Sequence, residues 1–228
     1  MSGPEGKPPA TWRPLILWSA AIVLVLALAW FVGAVAVPAY QVHKVIRTSN
    51  MFWLNWSPRT MSSGSVKDLG GPDQAARKIS IYLHLPKWLT CRGQNPPYLL
   101  GAVDNRYWAI ALLEACGKPG VPPLVRELKR PEPYIRKLAA ESLGRIGPEA
   151  RKAVPALIEA LADNENGDEG YGHVPPPSVC CVAAEALGKI GPDAEAALPA
   201  LEKLRDGDFA AREAAAAAIA KIRGKRPE

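Results

Sequence analysis

An unbroken apolar run dominates the N-terminal part of the chain. No Asp, Glu, Lys or Arg occurs between Pro14 and Val42, and the 23 residues at 15–37 carry almost only apolar side chains. At about 1.5 Å per residue, such a helix spans roughly 34 Å, which is enough to cross the hydrocarbon core of a bilayer. The pattern predicts a single transmembrane helix over residues 14–38, because Pro38 cannot continue the backbone hydrogen-bond ladder.

The flanks of this run bear on how it meets a membrane. Residues 1–13 form a short tail with two basic residues, and Trp12 and Tyr40 stand where an interfacial aromatic belt is expected. A cleaved signal peptide is the alternative, since the stretch from Ala34 to Ala36 resembles a small-residue cleavage site. The run is longer than the usual signal region of about 7–15 residues, however, so an uncleaved single-pass anchor is favoured.

The orientation of the anchor is only weakly determined. The basic residues on the two sides of the apolar run are nearly equal in number, so the positive-inside comparison hardly separates the two topologies. A short basic tail before a bulky C-terminal domain is an ordinary signal-anchor layout. On that ground we expect the C-terminal domain to lie outside the cytoplasm.

Residues 39–67 follow as a juxtamembrane segment with an aromatic centre. Phe52, Trp53 and Trp56 stand there in a stretch with almost no charge. Such a cluster is typical of a segment that lies in the lipid headgroup layer or contacts a partner. Packing against the chain's own folded part is the third alternative. The Ser-rich stretch 57–65 predicts a linker.

An internal repeat organises the second half of the chain. Residues 139–161 and 183–205 are identical at 13 of 23 aligned positions, with an offset of 44. A 14-residue segment rich in Gly, Pro and acidic residues separates them, and without it the period is 30. The same period recurs on both sides. The chain therefore holds about four units, at 104–129, 132–162, 177–205 and 207–223.

Each unit has the pattern of a helical hairpin. In the second unit, apolar residues at helical spacing form one stripe from Ile135 to Ile146. Gly147 then marks a left-handed helix end, and Pro155 opens a second helix. One such hairpin cannot bury its apolar face alone, so the units must stack. The predicted fold class is all-α: a short α-solenoid over residues 104–223, preceded by a single transmembrane helix.

The remaining segments are less regular. Residues 68–103 begin with a helical pattern whose Gly-Pro-Asp start, at Gly71, repeats the one at Gly191. This indicates either the second helix of a degenerate unit or a cap over the first unit. An insertion at residues 163–177 interrupts the solenoid, and residues 224–228 form a basic tail.

The repeated pattern Arg-x-x-Ala-Ala-x-x-Leu-Gly-x-Ile-Gly-Pro, followed by Val-Pro-Ala-Leu, resembles the HEAT-like repeat of the phycobilisome-lyase type. The resemblance covers residues 104–223. It implies a right-handed solenoid of antiparallel helix pairs, whose role is binding far more often than catalysis.

The resemblance also implies a polar ladder between units, in which an acid before a first helix pairs with the arginine within it. In the third unit, Cys180 stands at the arginine position, so we expect the ladder to be interrupted there. Two pairs fit the pattern elsewhere: Glu132 with Arg136, and Asp206 or Asp208 with Arg212.

The net charge of +6 is distributed unevenly. Residues 1–67 carry six Lys and Arg against one acidic residue, whereas residues 131–228 carry thirteen against sixteen. A basic N-terminal part fits contact with anionic lipid headgroups, and equally an ordinary solvated surface. Nucleic acid binding is not indicated, because the basic residues form no helix face and no Arg-rich run.

No residues stand out as catalytic, as cofactor-binding or as metal ligands. The three histidines occur singly, and no HExxH, GxSxG or phosphate-loop motif is present. The four cysteines show no Cys-x-x-Cys spacing, and Cys116 and Cys181 fall near buried helical positions. A disulfide between Cys91 and Cys116 is compatible with a domain outside the cytoplasm.

Non-catalytic protein binding at a membrane is the expected function. We expect the contact residues in the first unit and in the insertion, whose acidic residues lack the glycine spacing of a calcium loop. These residues are Tyr107, Trp108, Asp163, Asp168, Glu169, Tyr171 and His173. Two alternatives stay open: an accessory subunit of a larger membrane complex, and a lyase or isomerase that attaches a bilin, as some proteins with this repeat do.

Overall fold

The computed structural model describes residues 12–50, 62–85, 105–165 and 177–224, and every regular element within them is a helix. The expected all-α fold class is therefore confirmed. Several residues predicted to lie at the membrane interface or to contact a partner fall outside the described residues: Phe52, Trp53, Trp56, Asp168, Glu169, Tyr171 and His173.

A helical rod forms the N-terminal part of the described chain. Its parts, in order, are α1 (Trp12–Phe31), a π-helical stretch (Val32–Ala36) and α2 (Val37–Asn50). The expectation that Pro38 ends the helix is therefore wrong. The π stretch explains why: the Val37 N–H reaches the carbonyl oxygen of Val32, five residues back, and this wider turn gives the Pro38 ring room beside the preceding carbonyls.

The two ends of the rod have different surroundings. From Ile22 to Phe31 the large apolar side chains are 50–70% exposed. The helix is long and apolar enough to span a membrane, and a signal sequence near an N-terminus passes the same test of length and composition. Further along the rod, Val42 and Ile46 are fully buried.

The buried part of α2 packs against α4 (Pro72–Leu83). The His43 and Tyr82 ring centroids lie 6.4 Å apart, and Tyr82 is itself buried. The segment 39–67, which was expected to be a juxtamembrane segment and a linker, thus differs from that expectation at both of its ends. Residues 39–46 already contribute to the core, and α3 (Ser62–Asp68) occupies the end of the predicted linker. The rod is therefore joined to the solenoid by direct packing.

The helix α4 has the features of a second helix of a unit. Gly71 precedes its opening proline with a φ of 91°, as Gly191 does in the third unit with a φ of 79°. The helix α4 is also tied to the first unit, because Arg126 Nη2 donates to Ser80 Oγ at 2.6 Å. These features favour a degenerate unit over a simple cap.

Within the described residues, 105–222 form three helical hairpins and one final helix. In each hairpin a 3₁₀ segment leads from the first helix into the second. The hairpins and the final helix are α5 (Asn105–Ala115), 3₁₀ Lys118–Gly120 and α6 (Val121–Glu127); α7 (Pro133–Ile146), 3₁₀ Gly147–Ala153 and α8 (Val154–Ala160); α9 (Val179–Ile190), 3₁₀ Gly191–Ala197 and α10 (Leu198–Leu204); and α11 (Phe209–Ile222).

A glycine reverses the chain at the end of each first helix. Gly117, Gly147 and Gly191 have φ values of 63°, 72° and 79°, a region that glycine adopts without steric cost. Pro155 and Pro199 then lie in the first turn of the second helices, where a missing N–H leaves no helical hydrogen bond unmade. The predicted positions of the hairpin turns are therefore confirmed.

The units stack through their first helices, which approach closely at glycines. A Cβ on Gly144 would lie 2.9 Å from Cα of Ala186, and a Cβ on Gly188 would lie 2.9 Å from Cα of Ala218. These contacts bring α7 against α9 and α9 against α11. The stripe predicted in the second unit faces this core, in which Leu143 is fully buried.

The variant Gly188→Ala is expected to destabilise the solenoid by about 1–3 kcal/mol, although alanine is the better helix former. The added methyl group would meet the backbone of Ala218 in the neighbouring helix. Urea unfolding of the full chain in detergent, followed by circular dichroism, measures the effect. Glu185→Ala, at an exposed position of the same helix, is the matched control and should change stability by less than about 0.5 kcal/mol. Equal stability of the two variants would contradict the close packing.

Candidate functional site

Arginines of the first two units reach across to the loop of the following unit. Arg106 Nη1 lies 3.2 Å from Glu132 Oε1. In the second unit, Arg136 Nε donates to Asp163 Oδ2 at 2.6 Å and Arg136 Nη2 donates to Glu165 Oε2 at 2.8 Å. Each arginine therefore binds acids that precede the next unit's first helix.

The Arg136 guanidinium also binds the loop before its own helix. Its Nη1 donates to the carbonyl oxygens of Arg130 and Pro131, both at 2.8 Å. Burial alone lowers the pKa of Arg136, but the hydrogen bonds and charges of Asp163 and Glu165 outweigh burial and raise that pKa above its ordinary value. The single guanidinium group of Arg136 thus joins two successive loops.

The ladder differs from the expected one in the direction of its pairs. The acids that bind Arg136 are those of the following unit, not Glu132, which pairs with Arg106. Arg212 donates to carbonyl oxygens of its own loop, at 3.2 and 3.5 Å, rather than to an aspartate. Both expected pairs were wrong, because Arg136 reaches along the stack to the following unit and Arg212 binds the backbone of the loop before its own helix.

At the third unit, Cys180 interrupts the ladder. Its buried Sγ lies 3.0 Å from Ser178 Oγ, and its N–H donates to the carbonyl oxygen of Asp163 at 2.9 Å. Burial raises the pKa of the Cys180 thiol; the Ser178 hydrogen bond opposes this shift, and the Asp208 carboxylate adds to it. A neutral thiol therefore stands where the first two units have a guanidinium.

A groove of about 540 Å³ lies between the ends of α8 and α10 and the start of α11. Its floor is apolar and is formed by Ile158, Leu161, Ala200, Leu204 and Ala211. Its polar lining is Asn164, Lys203 and Asp208. Cys180 and Cys181 pack in one cluster with two of the floor residues, Leu204 and Ala211. The groove therefore opens beside the position where the ladder lacks its arginine.

The acids of the ladder persist at this groove. Asp206 and Asp208 precede α11 as Asp163 and Glu165 precede α9. Asp208 Oδ1 also accepts the Ala211 N–H at 2.8 Å and so caps α11. The third unit thus has acids in the loop before α11 but a cysteine at the arginine position.

The described residues contain no group of three or more His, Cys, Asp or Glu side chains that could hold a metal ion. Cys116 is a free, buried thiol whose Sγ donates to the carbonyl oxygen of Leu112 at 3.2 Å. Burial, with a smaller contribution from Asp73, raises the pKa of Cys116 to about 12, which disfavours the nucleophilic thiolate. Its suggested disulfide partner, Cys91, lies outside the described residues.

The predicted partner contacts that the structure describes fall on two different units. Contrary to expectation, Trp108 is a core residue, 5% exposed, and the neighbouring Tyr107 ring meets it edge-on with centroids 4.9 Å apart. Tyr107 is half-buried, and burial followed by the charge of Glu141 raises its pKa. Asp163 binds Arg136 and so serves the ladder.

Sequence reasoning located the interrupted ladder but missed the groove beside it. The groove residues come from the ends of two second helices and the start of the final helix, three places that are far apart along the chain. The arginine-to-cysteine change at Cys180 was the only signal in the sequence that pointed to this place.

Comparison with known proteins supports the repeat assignment. A model of HEAT repeats matches residues 101–169, and a model of the PBS lyase HEAT-like repeat matches residues 179–206. No curated protein sequence matches the chain. The chain is thus shown to contain HEAT-like repeats.

One similar solved structure is a chain in the complex of CpcE and CpcF of phycocyanin lyase from Nostoc sp. PCC7120. The similarity has a TM-score of 0.43 at 21% sequence identity, and it covers 75% of this chain and 66% of that chain. The protein therefore spans just under two thirds of that neighbour's length.

Arg136→Met is expected to lower the free energy of unfolding by about 1–3 kcal/mol, because it leaves the largely buried Asp163 carboxylate without its cation. Arg136→Lys keeps the charge but loses the planar guanidinium and its fixed set of hydrogen bonds. It should therefore retain only part of this stability. Urea unfolding of the full chain provides the measurement, and Arg151→Met, at an exposed position, is the control. A loss no larger than that of the control would show that the ladder does not hold the loops together.

Proposed function

We propose that this protein is a membrane-anchored scaffold that binds a protein partner through the groove between α8, α10 and α11. The groove itself carries this proposal. It has an apolar floor and a charged rim, the combination typical of a recognition surface, and it lies in a repeat fold that builds extended binding surfaces. The first two units, in contrast, are bridged at the corresponding place by their own arginines.

The buried thiols support a role without catalysis. Nucleophilic catalysis by a thiol would need a reactive thiolate beside the groove. Burial raises the pKa values of Cys116 and Cys180, and a raised pKa disfavours the reactive thiolate at neutral pH. Binding is therefore the function that the groove chemistry favours.

The N-terminal rod supports the membrane anchor. Its exposed apolar side chains from Ile22 to Phe31 form a surface whose contact with water is unfavourable and whose contact with hydrocarbon is favourable. Tyr40, which is 67% exposed, follows the apolar run at the position of an interfacial aromatic residue. Because the same rod enters the core at Val42, the solenoid would be held directly at the bilayer surface, and we place it outside the cytoplasm.

Alkaline carbonate extraction of membranes tests the anchor. We expect the full chain to stay in the pellet. The double variant Leu24→Arg, Leu28→Arg should be released, because two charges near the centre of the span cost about 5–7 kcal/mol in total. Phe209→Arg, a charge on an exposed residue of the solenoid, is the control and should stay in the pellet. A mature chain whose intact mass shows cleavage after the apolar run would contradict the anchor.

Partner capture in mild detergent, with chemical crosslinking and mass spectrometry, tests the binding function. Ala162→Trp places a large ring in the groove from an exposed position and should reduce recovery of the partner at least about tenfold. Ala196→Trp, exposed but outside the groove, is the matched control and should leave recovery unchanged.

Two results of this capture would contradict the proposal. Recovery of no stoichiometric protein partner with the wild-type chain would remove the scaffold function. Full recovery with Ala162→Trp would show that the partner does not use the groove, and crosslinks confined to the N-terminal rod would favour an accessory subunit held by its membrane helix.

A further inference from the structure

We propose that the groove binds an arginine side chain of the protein partner, which takes the ladder position that Cys180 leaves without a guanidinium. This inference rests on the proposed scaffold function and specifies the chemistry of its partner. It uses the internal repeat as its comparison, because the second unit holds the same elements with the arginine present.

The second unit shows what the ladder position binds. The Arg136 guanidinium is held by two carboxylates, on Asp163 and Glu165, and by two backbone carbonyl oxygens, at distances of 2.6–2.8 Å. Its side chain is 12% exposed, so the guanidinium fits between the two loops with little contact to water. Successive loops at this spacing therefore accommodate one arginine.

The third unit also has acids in the loop that follows its second helix, and a groove lies beside that loop. Asp208 lines the groove, and Asp206 precedes it in the same loop before α11. The Asp208 carboxylate lines the groove whose floor residues Leu204 and Ala211 pack with Cys180. Cys180 is 1% exposed and packs with two floor residues, Leu204 and Ala211, so this position contributes no cation to the groove beside it.

Three basic residues lie near these acids. Arg212 donates to the carbonyl oxygens of Arg205 and Gly207, which repeats the bonds of Arg136 to the loop before its own helix. Arg205 is exposed, and Lys203 lines the groove from α10. Within the described chain, none of the three forms an ion pair with Asp206 or Asp208. Asp208 Oδ1 accepts the Ala211 N–H, so the negative charge of this loop is not neutralised by a neighbouring cation.

The floor of the groove favours arginine over lysine. It also indicates which kind of residue flanks this arginine in the partner. A guanidinium is weakly hydrated and packs flat on apolar surface, whereas an ammonium keeps its water. The floor offers Ile158, Leu161 and Leu204, and Phe209, directly after Asp208, is 79% exposed. The matching partner segment carries an arginine with apolar neighbours.

The variant Cys180→Arg supplies the guanidinium from the chain itself and should close the site. An arginine occupies this position in the first, second and fourth units, so the variant is expected to fold with an unchanged circular dichroism spectrum. Cys180→Ala is the matched control, because it removes the thiol and leaves the space open.

The probe is a fluorescein-labelled peptide, Ser-Ala-Leu-Arg-Leu-Ala-Ser, whose fluorescence anisotropy is titrated with the full chain in detergent micelles. We expect Cys180→Arg to weaken binding at least about tenfold and Cys180→Ala to stay within about twofold of the wild type. The same peptide with citrulline in place of arginine has the same shape without the charge, and it should bind at least about tenfold more weakly.

A second variant keeps the test decisive if Cys180→Arg does not fold. Asp206→Asn with Asp208→Asn removes both charges, and asparagine at position 208 still caps α11. This double variant should weaken peptide binding at least about fivefold. Binding of the citrulline peptide, or binding to either of these variants, within about twofold of the wild-type value would overturn the inference.

Partner capture separates this inference from the proposed function. If wild type and Cys180→Arg recover the same partner equally, the arginine chemistry is wrong and the scaffold function stands. If the wild-type chain recovers no partner but binds the peptide in an arginine-dependent way, the scaffold function fails and the arginine site stands.

Discussion

The close approach of successive first helices sets the spacing on which the rest of the solenoid depends. Gly144 and Gly188 each bring a neighbouring helix backbone to a distance that leaves no room for a side chain. The loops at the ends of these helices then lie close enough for one guanidinium group to bridge them. Arg136 joins two of these loops with four hydrogen bonds. Beside Cys180, which stands at the arginine position of the third unit, lies a groove with charge on its rim.

The junction between the rod and the solenoid also fixes the relative position of the parts that it joins. The rod passes Pro38 through a π-helical stretch and then buries Val42 and Ile46 against α4. A packed junction holds the solenoid at a fixed distance from the anchor, whereas a flexible Ser-rich linker would let that distance vary. In the proposed function, the groove is thus presented close to the membrane and at a defined angle to the anchor.

The elements that the sequence predicted best are those with local causes. Gly147 and Pro155 specify a reversal and a helix start within a few bonds of themselves, and the apolar stripe of the second unit reports burial at a period of one helix turn. The errors concern relations between distant segments. Pro38 is accommodated by a wider turn, and the partner of Arg136 comes from the following unit. Trp108 reads as a surface aromatic residue, yet it is buried.

From the sequence alone followed the all-α class, the unit boundaries, the apolar helix and the place where the ladder lacks its arginine. These features rest on periodicity and on single residues whose backbone or charge preference acts locally. Only the tertiary structure decided which acid each arginine meets, and that the end of the rod belongs to the core. It also decided that three separate helix ends enclose a groove beside Cys180. Those outcomes depend on how far each unit is rotated and displaced from the next, and the linear pattern of residues does not encode that relation directly.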